Sequence, residues 1–504
     1  MLSTCVVIPP FIKPYSPSYT AGILADIIRK CSVSTYILDV NLLLLEHLYS
    51  NTLKLYCDGI FHTICSKKLE SLLRELKIRT AEVPLSETTY YQTYNEVSLR
   101  NIFLNKYIEK ITFGFFDIRM RNQKVTIAEL LVEDTSSQAL LKMYADFLPD
   151  FKEDIIFLSI MSKEQLYFSY LLAMYVKDKR INCKVVIGGP YFTNDNSDEY
   201  SILLKYFDCI CLGDAELVLS DIIFNYSANG KLFSKFGVVV FNGEKIIQTP
   251  RTLCKMEAIE KYNFSINDFS EYDYFYPISK YPVLTSRECC YGKCLFCTSK
   301  EKSQHICRIE KASHVVSILK TAAINRYSIV EFIDDNIHPK YLKIIANSII
   351  ENKISIKWIS NTRFYKEFLN YNLCKKMYDS GCKKLFMGLE SFNQETLDAM
   401  NKGIEVDDVI SILNNIKSAG ICTHISILFG FPSETLEQAK KTQQFLYDNI
   451  SLFDLIEINR FVNHGLKIDS ETSYDVDSIV KETRFKIQSF RKAPTYYNVY
   501  KCFE

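Results

Sequence analysis

The stretch Ser286-Arg-Glu-Cys-Cys-Tyr-Gly-Lys-Cys-Leu-Phe-Cys297 constrains this 504-residue chain more than any other. It sets four thiols, Cys289, Cys290, Cys294 and Cys297, on one short segment, directly after the apolar run Tyr281 to Leu284 that reads as a strand. A fold that accepts this segment must present the thiols together on one loop. Soft thiolates at such spacing take zinc, copper(I) or an iron–sulfur cluster in preference to harder metals. A tetrahedral zinc site would need a second Cys or Cys/His pair downstream at matching spacing, and His305 with Cys307 does not repeat the pair. Buried core cysteines do not account for the clustering.

The rest of the composition narrows the setting. Apolar residues make up 48% and charged residues 24%, as in ordinary globular proteins. Sixty Lys and Arg balance 59 Asp and Glu, which excludes a dedicated nucleic-acid surface, since phosphate binding needs concentrated positive charge. No apolar run reaches the ~18 residues of a membrane span. Seventeen scattered cysteines, with no signal peptide in Met1 to Asp39, point to a reducing cytoplasm and not to a disulfide scaffold.

Along the chain, two blocks alternate strands with helices. Cys5 to Ile8, Pro9-Pro10, a helix over Ala21 to Arg29 and a strand over Ser34 to Leu38 ending at Asp39 read as a βαβ start. From about 42 to 150, Leu, Tyr and Phe recur at helical spacing, which predicts a helical insertion whose stripes are core. The parallel pattern resumes with Asp154 to Ile160, a helix over Gln165 to Lys177, Lys184 to Ile187 before Gly188-Gly189-Pro190, and Phe207 to Leu212 before Gly213-Asp-Ala-Glu216. In open α/β sheets, ligands gather at the carboxyl ends of strands, where glycines permit close approach. Residues 226–280 read as a β-rich connector with an aromatic, acidic stretch, Asp268 to Tyr276, whose tyrosines could pack under the following barrel. Strands at 282–286, 328–333, 355–360, 383–388, 422–429 and 453–459, with helices between them, predict six βα units over 281–455. Residues 456–504 carry no recognisable pattern and are expected to help cover a substrate site.

Three cysteines with an aromatic immediately before the last resemble the cluster motif of the radical SAM superfamily. There, three thiolates hold a [4Fe-4S] cluster and the fourth iron is left open to S-adenosylmethionine. Counting back from Cys294, Cys290 gives C-x3-C-x2-C; the lead-in Ser-Arg-x-Cys-x-Tyr instead matches Cys289 and gives C-x4-C-x2-C, with Arg287 and Tyr291 in register. Only one of the two is expected to ligate, and Cys289 is preferred. The other strand ends resemble the same family: Phe332-Ile-Asp-Asp-Asn336, Asn361 with Arg363, Gly388-Leu-Glu-Ser391 and Gly430-Phe-Pro-Ser-Glu-Thr435. By that resemblance Asp334, Asp335 and Asn336 would hold the cofactor's ammonium, Asn361 and Arg363 its carboxylate or ribose, and Glu390 its ribose hydroxyls. The backbone around Phe296 and Gly430 would hold its adenine. Carboxylates suit an ammonium and vicinal hydroxyls, and Arg suits a carboxylate. The run Gly388 to Gly403, with Leu397, Met400, Asn401 and Lys402, extends the match.

Pro10, Asn41, Ser159, Gly188, Gly189, Gly213 and Glu216 fall at successive strand ends and resemble the cobalamin-binding domain that precedes many radical SAM cores. The first 225 residues are then expected to form a doubly wound, Rossmann-like sheet, followed by a partial (β/α)6 barrel. No Asp-x-His-x-x-Gly offers a histidine to cobalt. The resemblance implies a [4Fe-4S] cluster, S-adenosylmethionine and cobalamin as cofactors. It also implies an electron donor such as flavodoxin or ferredoxin, and a small-molecule or peptide natural-product substrate methylated at carbon through a 5′-deoxyadenosyl radical. Alternatives are a radical enzyme without functional cobalamin, acting by epimerisation, cyclisation or oxidation, and a non-catalytic metal-binding protein. Tyr15 and Tyr19 would lie near the lower face of a corrin or simply pack. His424, within the fifth barrel strand, is either a hydrogen-bonded core histidine or a proton acceptor near substrate.

Overall fold

The computed structural model describes residues 2–11, 16–57, 60–78, 87–114, 117–121, 125–192, 197–274, 280–297, 307–325, 329–463, 472 and 474–490. The chain divides into two compact units whose boundary falls between Pro277 and Ile278. No helix among the described residues is long and apolar enough to cross a membrane.

In the first unit, β1 (Ser3–Ile8), β2 (Ser34–Asp39), β3 (Ile155–Ser159), β4 (Lys184–Gly188) and β5 (Cys209–Cys211) are parallel, in the order β5-β4-β3-β1-β2. Their near-continuous Val, Ile and Phe runs are buried because helices cover both faces. Helix Tyr19–Lys30 starts where the Ser18 hydroxyl accepts from Ala21 N–H at 3.3 Å, and it ends on Arg29 and Lys30, which suit the negative end of its dipole. Its apolar side packs with helix Ala215–Asn229 on one sheet face, over Val6, Phe157 and Val186.

The connector belongs to this unit. β6 (Val238–Phe241) and β7 (Ile246–Gln248), strands expected of the connector, extend the sheet antiparallel from β5, which covers Val238, Val239 and Val240. Tyr272 and Tyr274 do not pack under the barrel. They dock on the end of β2, where Tyr272 donates to the Ile37 carbonyl at 3.1 Å and Tyr274 donates to the Asp39 carboxylate at 2.9 Å. Tyr276 lies outside the described residues.

The insertion is not purely helical. Besides helices Leu69–Ile78, Glu87–Tyr107 and Thr135–Phe147 it holds two antiparallel ribbons, Thr52–Cys57 with Ile60–Cys65 ahead of the first helix and Ile111–Gly114 with Asp117–Met120 after the second. In the first ribbon, Leu53 and Leu55 alternate inward with period two, a signal that the surrounding Leu-rich helical periodicity obscures.

In the second unit, β8 (Lys280–Val283), β9 (Ile329–Phe332), β10 (Trp358–Thr362), β11 (Cys382–Glu390), β12 (Cys422–Phe429) and β13 (Leu455–Arg460) pair in chain order, all parallel. This is the expected partial barrel. On β12, Ile425, Ile427 and Phe429 point to the helices and are fully buried. The alternate residues His424, Ser426 and Leu428, like Phe386 and Gly388 beside them on β11, are only partly covered. Side chains therefore do not fill the barrel's inner face, unlike the packed interior of a closed βα barrel. In the terminal segment, β13 is the expected sixth strand and helix Val476–Phe490 packs along it, with Arg484 Nε donating to the Ile458 carbonyl at 3.1 Å. Residues 464–471 and 491–504 of that expectation lie outside the described ones.

Asp39 is 2% exposed, and burial pushes its carboxyl up to about 6 against the hydrogen bonds from Leu42 N–H and Tyr274. Because that value is raised, Asp39 favours the folded state most below its unfolded value, and this contribution is lost as pH rises through about 6. Above that pH the charged form depends on its two donors. Tyr274→Phe is expected to destabilise the first unit by about 1.5–3 kcal/mol at pH 7.5 and by less at pH 5, where the carboxyl is protonated. Denaturant titrations at the two pH values check this.

Candidate functional site

The cysteine loop is held at both ends. After β8 the chain turns so that Thr285 N–H and Oγ1 and Ser286 Oγ all donate to the Asp334 carboxylate just beyond β9, at 2.6–3.1 Å. This pull ends β8 at Val283, earlier than expected from the apolar run. Ser286–Arg287 then pairs antiparallel with Arg308–Ile309, and the buried ion pair of Glu288 with Arg308, Nε to Oε2 at 3.1 Å, closes the loop. Inside it Cys289, Cys294 and Cys297 are free thiols, whereas Cys290 is bonded to Cys307 with Cα atoms 4.9 Å apart. This is one bridge among the described residues, where no disulfide scaffold was expected. His305 lies outside them.

The far side of the loop rests on the segment after β11. Leu295 N–H donates to the Met400 carbonyl at 2.9 Å, Asn401 Nδ2 to the Lys293 carbonyl at 3.1 Å, and Tyr291 Oη to the Asn401 carbonyl at 2.9 Å. Gly403 has φ +62°, and a Cβ there would meet Tyr291 Oη at 2.4 Å, so only glycine lets the two segments approach. Arg363, beyond β10, lays its guanidinium 3.3 Å over the Tyr291 ring, donates to Cys294 Sγ at 3.3 Å and reaches the Lys402 carbonyl. Burial pushes the Cys294 thiol up, and the charges of Lys402 and Arg363 oppose that shift. Lys402 Nζ donates to Glu390 Oε1 at 2.8 Å, with both side chains buried, and lies 5.3 Å from the Phe296 ring centre.

Not every residue singled out for S-adenosylmethionine is positioned to touch it. Asp334 is 1% exposed and its carboxylate, pushed up to about 6 by burial, is taken by the Thr285 and Ser286 donors, so it braces the loop and is not left for an ammonium. Asn361 braces too, its Nδ2 donating to the Asp334 carbonyl at 2.9 Å. Asp335 is exposed. Asn336 gives its amide N–H to Tyr365 Oη at 2.8 Å and leaves its buried Oδ1 without a partner. Glu390 has φ +69°, a left-handed conformation held by its Lys402 contact. The Gly430 N–H is already shared by Glu434 Oε2 at 2.8 Å and Tyr474 Oη at 3.0 Å, which removes it as an adenine donor. Burial raises the Glu434 carboxyl, and its Oε1 has no partner. Phe296 packs with Met400, Phe431 and Phe461, so the two places expected to flank adenine do converge. Tyr291, Lys402 and Tyr474 were not assigned roles from sequence; only their contacts across the chain reveal them. His424 is on the inner face, 3.4 Å from Glu457 Oε1 and edge-on to Phe386.

In the first unit, Pro9, Ser18, Ala21, Leu24, Ser159 and Met161 line a crevice where β1 and β3 part, the switch point at which doubly wound sheets take ligands. Pro10 follows this edge. Ser159 is paired in register with Gly188, and Gly189, at φ +108°, lies so close that a Cβ would meet the Ile160 backbone at 2.6–2.7 Å. The remaining expected contacts lie elsewhere. Asn41 is buried in helix Val40–Leu48; Gly213 lies against Arg251 and Thr252 of its own chain; Glu216 is buried on the following helix. Tyr19 stacks on Phe264 at 5.8 Å, which is packing, and Tyr15 lies outside the described residues.

In the second unit the donor chemistry suits a cluster and its S-adenosylmethionine: three free thiols share one loop beside a guanidinium, and buried polar atoms of Asn336, Arg363 and Glu434 at the strand ends lack partners. In the first unit, of the expected contacts, Ser159 lines the crevice. Residues 285–446 match the sequence profile of the radical SAM superfamily. Over 341 residues the chain is 26% identical to an uncharacterised methyltransferase of Pyrococcus horikoshii, covering 64% of this chain and 69% of that one. The structure of the radical S-adenosylmethionine methyltransferase TsrM from Kitasatospora setae, with cobalamin and a [4Fe-4S] cluster bound, matches with TM-score 0.57 at 12% identity, over 91% of this chain and 72% of that one. The cobalamin-dependent S-adenosylmethionine radical enzyme OxsB, with aqua-cobalamin bound, matches with TM-score 0.57 at 14% identity over 97% of this chain, which spans 56% of OxsB. The second unit is a radical SAM domain. The region ahead of it shares with TsrM and OxsB the fold of a doubly wound parallel sheet.

Lys402→Met is expected to leave the Glu390 carboxylate buried and unpaired, at a cost of about 3–5 kcal/mol, and adding Glu390→Gln to return most of it. A double-mutant cycle on denaturant unfolding measures the coupling.

Proposed function

We propose that this enzyme is a cobalamin-dependent radical SAM methyltransferase acting at an unactivated carbon of a small-molecule or peptide substrate. The observation that carries the reading is the cysteine loop, clamped at the C-terminal ends of the barrel strands beside an inner face that side chains leave open. The methyltransferase name of the Pyrococcus horikoshii relative and the likeness to TsrM and OxsB support the reaction type.

When bound, the cluster and S-adenosylmethionine supply a 5′-deoxyadenosyl radical for hydrogen abstraction, and cobalamin supplies the methyl group. Cys289, Cys294 and Cys297 would hold the cluster, the frame left once Cys290 is engaged by Cys307. Asn336 Oδ1 and Asp335 would accept from the cofactor's ammonium, Arg363 Nε would donate to its carboxylate, and Glu390 would meet its ribose on parting from Lys402. Phe296 and the backbone at Gly430 and Phe431 would flank its adenine. Pro10, Ser159, Gly188 and Gly189 would line the cobalamin tail's crevice.

Substrate would enter the inner face, where Gly388, Ser426 and Glu457 form one row and Phe386, His424 and Leu455 the next. Phe386 and Leu428 exclude water there, while His424 and Glu457 orient polar groups. Electrons would come from a flavodoxin or ferredoxin in the cytoplasm.

A second reading, radical chemistry without cobalamin, draws on one observation. Arg251 and Thr252 cover Gly213, so this chain itself fills a strand end that would otherwise border the ligand. Anaerobic reconstitution with iron, sulfide and hydroxocobalamin separates the two. The leading reading expects a retained corrin band together with 5′-deoxyadenosine formed after dithionite and S-adenosylmethionine are added. Loss of the corrin band with 5′-deoxyadenosine retained would favour the second. Ser159→Phe is expected to reduce corrin retention about tenfold by filling the crevice, with iron content unchanged.

A further inference from the structure

Two adjacent cysteines precede Cys294, and either one completes a plausible cluster frame by spacing alone. Thiolates exchange readily on iron, so a second free thiol one residue away would compete for the same site. The structure separates them. Cys289 is a free thiol, as Cys294 and Cys297 are. Cys290 faces away to Cys307. The short ribbon Ser286–Arg287 with Arg308–Ile309 and the buried Glu288–Arg308 pair flank this contact, and Cys307 Sγ also approaches the Glu288 carbonyl at 3.8 Å. The Cα separation of 4.9 Å is within the range a disulfide requires, so the ribbon presents Cys307 to Cys290 without rearrangement.

We propose that Cys307 is a positioning residue that, by bonding Cys290, withholds the second thiol and fixes Cys289, Cys294 and Cys297 as the cluster ligands. This rests on the reading of the loop as a cluster site. The bond forms by exchange with an external disulfide. Each of the two protein thiols gives up its proton, their sulfurs join, and the two electrons released reduce the external disulfide to two thiols. The remaining free thiols, Cys289, Cys294 and Cys297, then belong to one frame.

The test compares iron and sulfide per chain, and the electron paramagnetic resonance of the dithionite-reduced protein, after anaerobic reconstitution with ferrous iron and sulfide and no added thiol. Cys290→Ser and Cys307→Ser should each load as the unsubstituted protein does, and Cys289→Ser should be nearly empty. The double variant Cys289→Ser/Cys307→Ser should regain at least about threefold more iron than Cys289→Ser, with an altered spectrum, because the released Cys290 can now ligate. A loss of stability alone could not produce that rescue. Retention of a full cluster by Cys289→Ser, an empty double variant, or an empty Cys307→Ser protein would overturn the proposal. Cys294→Ser belongs to both frames; if it loads fully, the cluster reading itself fails, independently of Cys307.

Discussion

The buried ion pair between Glu390 and Lys402 joins more of the second unit than any other contact. Glu390 ends β11 in a left-handed conformation, Lys402 directly follows Met400 and Asn401, which hold the cysteine loop, and the Lys402 carbonyl receives Arg363 from the end of β10. Arg363 then reaches the Cys294 sulfur and covers the Tyr291 ring. Charges removed from water in this way are strongly coupled to their partners. Two strand ends and the cysteine loop are consequently fixed relative to one another.

Around that hub, polar groups divide into those that hold protein and those left for a ligand. Asp334 and Asn361 have their hydrogen-bonding capacity used by the loop and the backbone. Asn336, Arg363 and Glu434 each keep one buried atom without a partner. Burying such an atom costs free energy that a bound group can recover, which is how a site is set up in advance. The parallel register adds the open inner face, because Phe386, Gly388, His424 and Ser426 on β11 and β12 line up and stay only partly covered.

Much of this was legible in the sequence because it is local. Strand and helix alternation follows from periodicity, and the parallel order follows from the βα repeats. The thiol-rich loop after β8 and the polar motifs after β9, β10 and β11 are contiguous runs, so their placement at strand ends could be read directly. What the sequence did not show depends on distant partners: the pairing of Val238 and Val239 with β5, and the Thr285 and Ser286 donors on Asp334. Gly213 looked like a ligand approach until Arg251 came to rest against it.

The sequence by itself determined the two α/β units, the loop that bears the thiols, and the class of cofactor such a loop can hold, since spacing and residue chemistry are properties of the chain. Only the tertiary structure decided which of two adjacent cysteines is available, which carboxylates are already engaged, and that Lys402 ties the site together. A side chain's free hydrogen-bonding capacity is what remains after its neighbours in space have taken their share, and those neighbours lie 12, 17 and about 50 residues away in Glu390 with Lys402, Cys290 with Cys307, and Asp334 with Thr285.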